Sequence, residues 1–96
     1  MRRIKFRVAA SADMRGIARY TRKRWGDEQT TAHGSNLRDQ IKSLREFTLR
    51  FPEFDGKYDG LRQMHCGHHM VFYLVTDDAI EIIRILHEAM GFSERL

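Results

Sequence analysis

Hydrophobic and polar positions alternate at the start of the chain. Ile4, Phe6 and Val8 are separated by single basic residues. A period of two predicts a β-strand with one buried face. Its opposite face would be basic, which also protects an edge strand from unwanted pairing.

A helical spacing of apolar residues replaces this alternation. Ser11 suits the N-cap of a helix, and Asp13 lies where the helix dipole favours a carboxylate. Gly26 suits the left-handed conformation that often ends a helix. The apolar stripe between them consists of Met14, Ile17, Ala18, Thr21 and Trp25.

A second helix is predicted directly after the first, with Asp27 as its cap. Pro52 cannot continue this helix. Because the joint at Gly26 is so short, the two helices are predicted to form an antiparallel hairpin closed by Trp25. The apolar seam of the second helix consists of Leu37, Ile41, Leu44, Thr48 and Phe51.

Three strand candidates occupy the second half of the chain. Residues 52–60 are rich in glycine and polar residues and form a predicted loop. The segments 61–66, 70–75 and 80–86 follow, and the last two are apolar on both faces apart from Glu81 and Arg84, which is typical of central strands. Gly67-His68 and Asp77-Asp78 are the predicted hairpin turns.

These elements define an α+β fold in one domain, residues 1–96. An N-terminal strand precedes a helical hairpin, which packs on a mainly antiparallel sheet of about four strands. We expect the hairpin to return the chain to the end where the first strand stopped. The second strand would therefore run antiparallel to the first.

Composition limits the setting in which the protein works. The chain has 96 residues, a formal charge of +4 and a single cysteine, which fits a reducing compartment. It lacks an apolar run of the roughly 20 residues that span a bilayer and a signal-peptide pattern at its start. We therefore expect a cytoplasmic protein without a membrane partner, whose basic surface favours acidic partners.

The segment HCGHH, residues 65–69, concentrates three histidines and the cysteine. If Gly67 and His68 form a two-residue turn, Cys66 and His69 face each other across the hairpin. A structural zinc site needs about four converging ligands, and no second Cys/His pair of matching spacing exists. We therefore interpret the segment as a turn with exposed histidines and predict no metal and no cofactor.

Basic residues on the strand candidates are the stronger functional signal. Arg84 interrupts an apolar run and needs a partner, either a carboxylate such as Glu81 or Asp59 or an anionic ligand. Arg62 and His87 lie on the same group of strands. Alternation places Arg84 and His87 on opposite faces unless a bulge intervenes.

Several motifs together resemble the ParE branch of the RelE/ParE superfamily of bacterial toxins. They are SADMRGIARYTRKRWG at residues 11–26, FPEF at 51–54, GLRQM at 60–64, GHHMVFYLV at 67–75 and IEIIRILHEAM at 80–90. The resemblance spans nearly the whole chain. It implies the same fold, a helical hairpin on an antiparallel sheet.

The resemblance also implies a toxin of a type II toxin–antitoxin module. A ParD-like antitoxin with an acidic, partly disordered tail would wrap around the toxin and form a hetero-oligomer with it. Operator DNA would be bound only through the antitoxin. ParE-like toxins poison DNA gyrase by binding, which would cause growth arrest and serve plasmid maintenance or a stress response, with Arg62, Arg84 and His87 as target-binding residues.

Two alternatives remain within the superfamily. RelE-like relatives cleave messenger RNA on the ribosome, and Arg62, Arg84 and His87 would then be the catalytic residues. That constellation is thin, because only Lys57 precedes Arg62 in its loop and the tail after residue 89 has no tyrosine or histidine. The other alternative is an inactive relative that binds its antitoxin and acts as a co-repressor.

Antitoxin contacts are predicted in the groove between the hairpin and the sheet. The arginines of the first helix would meet acidic side chains, and apolar residues would anchor the partner. The predicted set is Arg19, Tyr20, Arg22, Arg24, Leu37, Ile41 and Leu44.

Overall fold

The fold has two helices on one face of a four-stranded sheet. A computed structural model describes residues 2–54, 58–88 and 95–96. The elements are β1 Arg3–Phe6, α1 Val8–Trp25, α2 Asp27–Ser43, β2 Arg62–Cys66, β3 His69–Val75 and β4 Ala79–His87. The predicted element order and fold class are therefore confirmed.

The sheet is mixed, with the strand order β1-β4-β3-β2. β3 runs antiparallel to both of its neighbours, whereas β1 pairs with β4 in parallel, from Arg3 opposite Ala79 to Phe6 opposite Ile82. β2 therefore runs in the same direction as β1, and the predicted antiparallel relation between these two strands is wrong.

The direction of α1 explains this difference. A single residue, Arg7, separates β1 from α1, and its N–H donates to the carbonyl of Ile82. Asp13 of α1 then contacts Ile85, so the helix travels along β4 in the direction of β1 instead of doubling back. The return is made by α2, whose far end leads to the Phe51 carbonyl beside Arg62. The hairpin thus returns the chain to the level where β1 stopped, since Arg62 at the start of β2 is in register with Ile82, which pairs with Phe6. From that level β2 runs in the direction of β1.

Both helices differ from their predicted limits. α1 begins at Val8, and the N–H of Ser11 already donates to the Arg7 carbonyl at 3.0 Å, so the predicted cap at Ser11 is wrong. Gly26 ends α1 with φ of 92° and ψ of 175°, so its φ is positive as predicted, but its ψ lies outside the left-handed helical region. Asp27 is the first residue of α2 and makes no cap hydrogen bond to the backbone.

α2 ends at Ser43, earlier than Pro52 predicted. The backbone bonds that follow tighten to a spacing of three residues, from Leu44 to Ile41 and from Arg45 to Lys42. The Thr48 hydroxyl donates to the Leu44 carbonyl within the turns that complete this segment. The apolar seam is nevertheless buried as far as Thr48.

Each face of the sheet carries its own apolar cluster. The helix-facing cluster joins Ala10 of α1 and three residues of the α2 seam to Met64, Tyr73 and the inner side of β4. The opposite face buries Leu61, Phe72, Ile83, Leu86 and Leu96. β4 contributes to both clusters, which confirms it as a central strand.

β1 contributes less to the core than its alternation predicted. Ile4 is partly buried, but Phe6 is 39% exposed, and Val8 is 87% exposed at the start of α1. Val8 is therefore not the third buried position of a strand. Among the described residues, no helix combines the length and apolarity needed to cross a membrane.

Candidate functional site

Arg84 is held by α1. Its Nε and Nη2 atoms donate to the two carboxylate oxygens of Asp13 at 2.7 and 2.9 Å, and its Nη1 donates to the Arg95 carbonyl at 3.1 Å. The pair is partly buried, with 24% of the Arg84 side chain and 14% of the Asp13 side chain exposed. The hydrogen bond to Asp13 raises the pKa of Arg84. The partner is therefore Asp13, and the predicted partners Glu81 and Asp59 are wrong.

The position of Asp13 follows from the shape of the sheet. β1 ends opposite Ile82, so the edge of β4 beyond that residue has no strand beside it. An unpaired strand edge leaves backbone donors that need acceptors. Asp13 accepts the Ile85 N–H at 2.9 Å as well as the Arg84 guanidinium. One carboxylate on α1 thus closes the free edge of β4.

Arg62 has a different partner at the opposite edge of the sheet. Its Nη1 donates to the Phe51 carbonyl at 2.7 Å, and Gln63 and Pro52 share a backbone hydrogen bond nearby. These contacts hold the segment that follows α2 against β2. Arg62 therefore fixes the chain connection at the point where β2 begins.

The structure does not bring Arg62, Arg84 and His87 together. Arg62 lies in register with Tyr73 and Ile82, two strands away from β4. His87 lies opposite His69, five residues beyond Ile82 along β4, which corresponds to about 16 Å. The register from Arg84, opposite Phe72, to His87 is unbroken, so the alternation that places Arg84 and His87 on opposite faces is retained. The register shift at Phe72/Tyr73 lies before Arg84, between Ile82 and Arg84.

The HCGHH segment forms the predicted turn. Cys66 pairs with His69 and His65 with Met70, and Gly67 has φ of 61°. Glu88, just after β4, accepts from His68 at 2.9 Å and lies 3.4 Å from His65. The hydrogen bond from His68 is the main cause of the lowered pKa of Glu88. Burial raises the pKa of the Cys66 thiol.

A cleft of about 910 Å³ opens between this turn, the second half of α1 and the end of β4. Its apolar wall includes Ile17 and Ile85, and two aromatic side chains stand at its rim, with Tyr20 63% and Trp25 64% exposed. The exposure of Trp25 shows that this residue does not close the helical hairpin, so that expectation is wrong. The histidines of the cleft are His33, His68, His69 and His87.

The histidine rings of the cleft form a continuous network. The His69 ring lies 5.4 Å from that of His33 and 5.3 Å from that of His87, and His68 stacks on His87 at 6.2 Å. Burial, followed by the charges of His33, His87 and His68, lowers the pKa of His69 to about 4. His69 is therefore neutral near pH 7.

The sequence of this chain matches a known family. The sequence model of the ParE toxin of the type II toxin–antitoxin system parDE matches residues 4–92. The chain belongs to this family. It is 36% identical over 88 residues to the toxin ParE of Escherichia coli, with 91% of this chain and 85% of the relative covered. It is 34% identical over 82 residues to toxin ParE1 of Caulobacter vibrioides, with 85% and 84% covered.

The fold agrees with that of a solved ParE structure. The chromosomal ParDE toxin–antitoxin system of P. aeruginosa contains a chain with a TM-score of 0.79, at 20% identity, and the match covers 91% of this chain and 96% of that one. ParE-family proteins are the toxins of toxin–antitoxin pairs. The partner of this chain is therefore an antitoxin.

The predicted antitoxin-binding residues divide into two groups. Arg19, Tyr20, Arg22 and Arg24 are exposed on the second half of α1, where Arg22 pairs with Asp27 at 3.2 Å. Arg24 lies over the Trp25 ring at 5.7 Å. The apolar group is placed differently, because its members are fully buried in the helix-facing core: Leu37, Ile41 and Leu44.

Sequence reasoning missed most of the cleft wall. His33 belongs to no recognisable motif in the sequence, yet α2 brings its ring to 5.4 Å from that of His69. The signal that finds it is spacing along α2, since His33 precedes the buried Leu37 by one helical turn and therefore shares its inward face. Within the described ranges, no group of three or more His, Cys, Asp or Glu side chains is arranged to hold a metal ion.

Proposed function

We propose that this ParE-family toxin inhibits DNA gyrase by binding it and that a ParD-like antitoxin neutralises it. The proposal is supported mainly by the two strand arginines, which lie apart and each of which binds another residue of the fold. Arg84 is paired to Asp13, and Arg62 donates to the Phe51 carbonyl. Both contacts support the fold and leave little for catalysis.

A metal-free nuclease requires several groups around one phosphate. It needs a base for the 2′-hydroxyl, an acid for the leaving oxygen and cations for the developing charge. Arg62, Arg84 and His87 would be these groups here, but they lie on separate parts of the sheet. Lys57 and residues 89–94 lie outside the described residues, and their sequence offers one lysine and no tyrosine or histidine to such a site. Binding is therefore the better-supported mode of action.

The antitoxin would cover the cleft and the basic side of α1. Exposed aromatic residues such as Tyr20 and Trp25 are effective anchors for a partner. Arginine side chains at positions 19, 22 and 24 would pair with acidic residues of the antitoxin tail. The complex would be a hetero-oligomer that reaches operator DNA through the antitoxin.

The predicted apolar residues would pack beneath this surface without touching the antitoxin: Leu37, Ile41 and Leu44. A side chain without exposed surface contributes to a partner site by fixing the residues in front of it. For gyrase, Arg62, Arg84 and His87 stay the predicted contact residues. The half-buried state of all three means that only part of each side chain is available for such a contact.

A supercoiling assay with purified gyrase tests the proposed target. We expect the toxin to lower supercoiling and to increase cleaved DNA, and we expect an excess of antitoxin to restore supercoiling. Unchanged supercoiling together with cleaved messages in a translation extract would instead favour ribosome-dependent RNA cleavage. Normal growth on induced expression, with tight antitoxin binding retained, would favour a co-repressor.

A further inference from the structure

The histidine cleft contains an unsatisfied polar atom. Among the described residues, the Nδ1 atom of His69 is a buried side-chain nitrogen or oxygen without a hydrogen-bond partner. Buried polar atoms are normally paired, and an exception calls for an explanation. His69 is also the centre of the ring network, in contact with His33 from α2 and His87 from β4.

The charged groups around His69 do not supply a carboxylate to the cleft. Asp13 lines the cleft from α1, but both of its oxygens are engaged by Arg84 and the Ile85 N–H. Glu88 beyond β4 is engaged by His65 and His68, and its charge raises the pKa of His69 only as the weakest of five influences. The remaining titratable neighbour on β2 is the Cys66 thiol.

We propose that the cleft receives a carboxylate of the antitoxin's acidic segment against the histidine cluster, and that binding takes up protons there. This inference rests on the antitoxin partnership proposed above and adds a chemical group and a regulation to it. The aromatic rim would hold the apolar part of the segment, while imidazolium groups would pair with its acid.

The direction of the pH effect follows from the state of the free toxin. His69 is neutral near pH 7 because its pKa is about 4. A carboxylate placed beside it favours the charged imidazolium and raises that pKa, so the complex binds more protons than its separate components. Affinity therefore increases as the pH falls, and the linkage is strongest between the free and bound pKa values.

Titration calorimetry measures this linkage with the antitoxin encoded beside the toxin gene. The heat of binding is compared in phosphate and in Tris, which release very different heats when they give up a proton. We expect net proton uptake on binding and a Kd that falls about fivefold from about pH 7.5 to about pH 6. Tight binding with no proton uptake and a constant Kd would overturn the inference and leave the partnership intact.

Matched histidine variants locate the protons. His69→Gln and the exposed His68→Gln each remove a member of the cluster, and we expect each to reduce the proton uptake. His65→Gln is the control, because His65 does not line the cleft and its ring lies 3.4 Å from Glu88, which does not line the cleft either. Equal uptake in all three variants and in wild type would overturn the inference. Absence of any complex would contradict the partnership as well.

Discussion

The two halves of α1 differ in how the rest of the molecule uses them. The first half is fixed to the sheet through Asp13, whose carboxylate binds Arg84 and the edge of β4. The second half lines the cleft and leaves Tyr20 and Trp25 largely exposed at its rim. One half of the helix thus stabilises the fold, and the other half offers a surface to a partner.

This contrast shows that residue type alone does not identify a binding residue. Arginine and aspartate are typical of functional sites, yet Arg84 and Asp13 satisfy each other and a backbone donor within the fold. Trp25 belongs to the apolar stripe of α1 and Tyr20 lies off that stripe, yet both side chains are largely exposed. Substitutions in the two halves should therefore affect different measurements.

The largest loss of stability is expected from Asp13→Ala. The change leaves the Arg84 guanidinium without its carboxylate and the Ile85 N–H without its acceptor. We expect the free energy of unfolding to fall by about 3 kcal/mol, measured by urea denaturation. Asp27→Ala is the control, because the Asp27 side chain is 88% exposed in its pair with Arg22. It should cost less than about 1 kcal/mol, and equal losses would contradict the assignment.

A smaller, pH-dependent effect is expected from His69. Its pKa is about 4 in the folded chain and near 6.5 in an unfolded one, so the unfolded state binds more protons between these values. Stability should therefore fall as the pH falls from about 6.5 to about 4. The His69 contribution is about 1–2 kcal/mol once solvent screening of a half-exposed side chain is allowed for.

Urea denaturation of His69→Gln at several pH values isolates this contribution. The variant should lose less stability than wild type on acidification, whereas His65→Gln should follow wild type. Identical pH profiles for wild type and His69→Gln would show that the cleft does not hold His69 in its neutral form.

The sequence predicted the fold well where local signals decide the structure. Period-two and helical spacings located the strands and helices, Gly26 marked the hairpin joint and Gly67 the turn of HCGHH. The direction of α1 relative to β1 was not predictable in this way. It depends on one connecting residue, Arg7, and on a contact between Asp13 and β4 across more than seventy positions of sequence.

The candidate site was less predictable because it is assembled from distant segments. Arg84 was correctly expected to need a partner, but its carboxylate lies on another element of the fold. The histidine network requires the α2 position of His33 and the register of β3 with β4, neither of which a local motif contains. Helical spacing places Trp25 on the apolar stripe of α1, but spacing does not reveal that its side chain is largely exposed at the cleft.

The most direct test of the account is the affinity of the antitoxin for a toxin altered only at the cleft rim. Tyr20→Ala combined with Trp25→Ala should change the free energy of unfolding by about 0.5 kcal/mol at most, because both side chains are exposed. The Kd should rise about 30-fold, as expected when exposed aromatic anchors are removed. The control combines Phe47→Ala with Leu49→Ala. The native side chains are 45% and 65% exposed, and neither lines the cleft.

The control should bind the antitoxin within about twofold of wild type. A 30-fold loss confined to the rim variant is the result that the account predicts. An unchanged Kd for the rim variant, or an equal loss in the control, would contradict the claim that the open half of α1 is the surface where the antitoxin binds.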